Sequence, residues 1–80
     1  MLALTSRAAE ALRTADAAAR RFNPDARLRL RVDGGAVTAD LVAGPAAGES
    51  AVTVDGIDLV VPDGLEGTVD AGEHNAFTLI

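Results

Sequence analysis

No cysteine occurs in this 80-residue sequence, so the chain must hold its fold by packing and hydrogen bonds alone. That excludes a disulfide staple, a thiolate nucleophile and any zinc or iron-sulfur centre with sulfur ligands. A single domain of this size buries only about 60% of its unfolded surface. Its core is thin as well as small. Hydrophobic residues make up 49% of the chain, but much of that share is alanine, and Phe22 and Phe77 are the only aromatics. A core of this kind rarely supplies more than roughly 3–5 kcal/mol net, so a protein partner or a weak homodimer covering an apolar face is expected.

The formal charge is −5 and the isoelectric point about 4.5. Nucleic acid and anionic membrane surfaces are therefore not expected partners, because binding to phosphate requires net positive surface. All seven cations are arginine, which fits a GC-rich bacterial coding bias better than a functional choice. No apolar run reaches the roughly 18–20 residues of a membrane span, and Met1-Leu2-Ala3-Leu4 lacks the pattern of a signal peptide. A cytoplasmic protein is expected.

Residues 5–22 read as one amphipathic helix. Ala8, Leu12, Ala15, Ala19 and Phe22 recur at spacings of four, three, four and three, which lines them up on one face. Thr5 or Ser6 supplies the N-cap, and Arg20 and Arg21 sit at the negative end of the helix dipole. Asp16 and Arg20 stand at the i,i+4 spacing of an ion pair, and Asn23-Pro24 ends the helix.

After Pro24 the apolar period drops from 3.6 to 2. Leu28, Leu30 and Val32 alternate with Arg27, Arg29 and Arg31, and Val37, Ala39 and Leu41 resume the alternation beyond Asp33-Gly34-Gly35. A two-residue Gly34-Gly35 loop places Val32 opposite Val37 and Arg29 opposite Asp40; an Asp33-Gly34 loop keeps the same faces and moves Arg27 opposite Asp40. The Gly34-Gly35 register is preferred. A loop over 43–50 leads to a second hairpin, with Asp55-Gly56 as its turn, Val54 opposite Ile57 and Val52 opposite Leu59. Val60 points to the other face of that strand, and Val42 is likewise off its strand's alternation, which makes these two the candidate interaction residues. A last strand pair spans 68–71 and 76–80, and for Val69 to share a face with Phe77 and Leu79 its loop must hold three or five residues.

Several segments resemble the HesB/IscA-like family, the A-type carriers of iron-sulfur cluster assembly. Leu4-Thr5-Ser6-Arg7-Ala8-Ala9-Glu10-Ala11-Leu12 is similar to the family's opening, and Leu28-Arg29-Leu30-Arg31-Val32 to its leucine-arginine strand. Asp55-Gly56-Ile57-Asp58-Leu59-Val60-Val61 and Leu65-Glu66-Gly67-Thr68-Val69-Asp70 are similar to the two later segments, with Phe77 at the end of the final core strand. The resemblance implies a single domain over residues 1–80 of α+β class, an N-terminal helix packed on a compact β-rich domain of two small mixed sheets. It does not bring cluster carriage with it. The family's first cysteine falls near Gly34-Gly35 here, and its other two lie in a glycine-rich tail for which a chain ending at Ile80 has no counterpart.

Other chemistry is sparse. Asp70, Glu73 and His74 are the nearest approach to a metal-binding group, but one imidazole and two carboxylates in a turn are too few fixed donors, so no metal and no cofactor is expected. Asp33, Asp55 and Asp63 each precede glycine, which hairpin geometry explains without calcium. Neither Ser6 nor Ser50 sits in a nucleophile elbow, so no catalysis is expected; Gly34-Gly35 has neither the lysine nor the helix start of a phosphate loop. Arg27, Arg29 and Arg31 form the one basic stripe, read as a solvated face neutralised by Asp40 and its neighbours. The leading expectation is a non-enzymatic binding or scaffold module. The alternatives are a metal or cluster carrier using non-cysteine or partner-supplied ligands, and an unrelated small structural protein.

Overall fold

A computed structural model describes residues 2–73 and 76–80. Strand β1 (Leu2–Leu4) precedes helix α1 (Ser6–Phe22), and six strands follow: β2 (Arg27–Asp33), β3 (Ala36–Val42), β4 (Glu49–Val54), β5 (Ile57–Pro62), β6 (Gly67–Ala71) and β7 (Phe77–Leu79). All seven strands belong to one sheet, in the order β1-β6-β7-β3-β2-β5-β4. The sheet curls so far that its two end strands face each other, giving a nearly closed barrel. The two small sheets implied by the family resemblance are not formed. Two contacts unite them: β7 pairs with β3 at Ala36↔Thr78 and Val37↔Phe77, and β2 pairs in parallel with β5 at Leu28↔Leu59 and Arg29↔Val60.

The local elements follow the sequence closely. Thr5 is the N-cap; its hydroxyl oxygen accepts the Ala8 N–H at 3.2 Å, and the Asn23 N–H closes the helix on the Ala19 carbonyl at 3.0 Å. The β2–β3 hairpin turns at Gly34-Gly35, with φ of 58° and 87°, and pairs Val32 with Val37 and Arg29 with Asp40. At the β4–β5 turn, Asp55 and Gly56 have φ of 51° and 78°, a left-handed pair whose twist matches the flanking strands. Between β6 and β7 the register Ala71↔Phe77 leaves five residues in the loop, so Val69, Ala71, Phe77 and Leu79 share the inner face.

That inner face holds the core. Leu28, Leu30, Val37, Ile57, Leu59, Val61 and Val69 meet Ala8 and Leu12 of α1 there. The helix stripe departs from the periodic reading at its C-terminal end. Ala8, Leu12 and Ala19 are buried, but Ala15 is exposed and Phe22 is 93% exposed. The last turn stands over Ala39 and Leu41 of β3, where alanine is too small to close the gap, and Leu41 is itself 54% exposed. Among the described residues no helix is long and apolar enough to cross a membrane.

Candidate functional site

Strands β1 and β4 end the sheet on opposite sides and, among the described residues, are not hydrogen-bonded to each other. Between them lies a cleft of about 670 Å³, walled by Leu2, Leu4, Val52, Val54, Val61 and Leu65. Leu2 and Val61 are buried, whereas Leu4, Val52, Val54 and Leu65 are only half-buried. The volume falls inside the roughly 300–1,000 Å³ range of ligand sites, and mostly apolar walls are what such sites have. Its polar groups lie at the rim, where Ser50 donates its hydroxyl to Asp63 and the Asp55 carboxylate stands at the β4–β5 turn.

Local sequence explains the walls. The alternation Val52-Thr53-Val54 turns both valines inward and leaves Thr53 outside, where its hydroxyl donates to Asp58 at 2.8 Å. On the opposite wall Leu2 and Leu4 follow the same period of two around Ala3. The sequence reading assigns no strand to residues 2–4, so this wall is a finding of the structure. The Leu-Ala-Leu alternation just before a helix cap was the available signal.

The residues singled out from sequence are dispersed. Asp70 is committed to the fold: it accepts the Thr5 hydroxyl at 2.6 Å and the Ala71 N–H at 2.9 Å. Those two donors hold its carboxyl below the usual carboxylate range. Glu73 is exposed, and His74 lies outside the described residues. Among the described residues no three His, Cys, Asp or Glu side chains gather in a metal-sized group, so Asp33, Asp55 and Asp63 stay apart.

Arg29 forks onto Asp40, with Glu49 at 3.9 Å, and this pairing lowers the Asp40 carboxyl from its ordinary value. The centre of the basic stripe is therefore neutralised. Arg20 bridges Asp16 and Asp58, each at 3.2 Å, tying the helix to β5. Asp58 is held low by the Thr53 hydroxyl first and Arg20 second.

Val60, offered by the sequence as an interaction residue, is 1% exposed in the single chain, so the chain itself covers it. The topology supplies the cover. Because β3 and β4 lie on either side of the β2–β5 pair, the 43–48 connection must recross the outer face. Ala43, Gly44 and Pro45 share a shallow hollow there with Val60, Arg27 and Ala51. Val42 is half-buried at the start of that crossing, opposite Arg27. No protein-family model matches this sequence, and no curated protein matches it significantly.

Proposed function

We propose that the protein is a non-enzymatic binding module whose site is the apolar cleft between β1 and β4. The observation that carries this reading is a ligand-sized apolar cleft framed by two strand edges, β1 and β4, that are not hydrogen-bonded to each other among the described residues. A thin core leaves four half-buried aliphatic side chains in that one place, and apolar area there is worth about 25 cal/mol per Å² when a ligand covers it. The dispersal of carboxylates, the engagement of Asp70 and the bonding of Ser50 to Asp63 support binding over catalysis. Because the sheet is single, the family resemblance adds no weight to a carrier role, and the reading rests on the cleft.

The test uses Nile red, a neutral dye that the acidic surface does not repel. Its fluorescence should rise on the native chain and stay low with Val54→Glu or Leu65→Glu, each checked as folded by circular dichroism. Equal dye binding by the folded variants, or none by the native chain, would overturn the reading.

A further inference from the structure

The seam has a backbone geometry as well as an apolar lining. In β4 the pair Val54↔Ile57 closes a two-residue turn, so Val54, Val52 and Ser50 direct their N–H and C=O groups toward β5. By the same alternation Ala51 and Thr53 direct theirs into the seam. On the other side the Thr5 N–H donates to the Val69 carbonyl at 2.9 Å, which turns Thr5 and Ala3 toward β6 and leaves the backbone groups of Leu2 and Leu4 facing β4. At their closest, Cα atoms of β1 and β4 lie within 8 Å of each other. A strand placed between two others needs about 9.6 Å, twice the normal spacing, so an added strand bonded to β4 would push β1 outward by at least about 1.6 Å at that point. Strand β1 has three residues against the six of β4, which makes it the side that yields.

The charges at the two ends of β4 specify the occupant further. Glu49↔Pro62 and the 2.9 Å bond from the Asp63 N–H to the Gly48 carbonyl put Asp63 at the start of the strand. Asp55 stands at its finish. Both residues are exposed, and the nearby Arg13 guanidinium reaches the Asp55 backbone carbonyl, not its carboxylate. We infer that the seam takes an extended peptide segment of a partner protein, added as a strand to β4, with alternating aliphatic side chains filling the cleft and a cationic residue at each end. Main-chain bonds to Ala51 and Thr53 supply the attachment, and the two carboxylates supply the selection. This inference rests on the proposed reading of the cleft as a binding site.

The experiment titrates the labelled chain with two capped peptides, Lys-Thr-Val-Thr-Val-Thr-Val-Lys and its glutamate-ended counterpart, followed by amide NMR shifts. The lysine-ended peptide should shift Ala51, Thr53 and Leu4 and bind about tenfold tighter than the glutamate-ended one at low salt, the gap shrinking as salt is raised. Methylating alternate peptide nitrogens should abolish binding, and Asp55→Asn with Asp63→Asn should erase the preference. Equal binding of the two peptides, shifts remote from β1 and β4, or tolerance of N-methylation would overturn the inference. If Nile red occupies the cleft while neither peptide binds, the inference fails and the binding-module reading survives; if the dye also fails, both are wrong. Concentration-dependent self-association with shifts confined to the same edges would assign the seam to a second copy and refute the partner peptide.

Discussion

Replacing Val60 with Asp tests whether the 43–48 crossing really seals the outer face of the sheet. Val60 is 1% exposed between Arg29 of β2 and Ala51 of β4, so the substitution forfeits the burial of a whole valine side chain, about 1.5–3 kcal/mol. The new carboxyl must also be desolvated, at roughly 1–3 kcal/mol more if it takes up a proton and at a higher cost if it stays charged. Arg29 offers little relief, because its guanidinium is already engaged by Asp40 and Glu49. The sum, about 2.5–6 kcal/mol, spans the roughly 3–5 kcal/mol that a core this small rarely exceeds. Val60→Asp should therefore be largely unfolded as a monomer at 25 °C, and Val60→Ala should lose about 1.5–2.5 kcal/mol. The chain has no Trp or Tyr, so urea denaturation followed by far-UV circular dichroism is the assay. A folded Val60→Asp monomer with an unchanged midpoint would refute the argument, and dissociation of a dimer into folded monomers would place the cover on a second chain.

Three further outcomes are expected. Gly56→Val should cost about 1 kcal/mol or more by denaturant midpoint, purely from backbone strain at φ 78°, since a Cβ there meets no atom within 4 Å; an unchanged midpoint would exclude the left-handed turn. Phe22→Ala should change stability by less than about 0.5 kcal/mol, because the ring is 93% exposed, and a loss of several times that would restore Phe22 to the core. Asp70 has its carboxyl pKa depressed in the folded chain, so it contributes stability that is present above the unfolded value of about 3.9 and is lost as pH falls through the folded value. Asp70→Asn should accordingly flatten the acid limb of the thermal midpoint against pH below about 4, and an unaltered slope would show that the Thr5 hydroxyl bond does not contribute.

The legible part of this protein is local. Helix α1, its stop at Asn23-Pro24 and the β4–β5 register follow from capping side chains, glycines tolerant of positive φ and apolar alternation within some fifteen neighbouring residues. The β2–β3 register is narrowed to two, of which the structure forms the preferred Gly34-Gly35 turn. Loop parity likewise restricted the β6–β7 connection before Ala71↔Phe77 chose five residues. Of the candidate site, the inward faces of Val52, Val54 and Val61 were legible, but their exposure at an open seam was not. Leu2 and Leu4 carried a period of two too short to stand out beside a helix.

Tertiary structure decided everything that depends on which apolar face meets which. The strands all present similar Leu, Val and Ala alternations, so the pattern cannot choose between two small sheets and one continuous curl. That choice was made by long-range pairing, β1 with β6 and β2 with β5 in parallel and β7 with β3 at only two positions. The strand order then forced the 43–48 connection across Val60 and brought β1 and β4 face to face without closing them. Alternation is a property of each strand alone, whereas cover and cleft are properties of strand order, and strand order is fixed only when distant segments compete for the same small core.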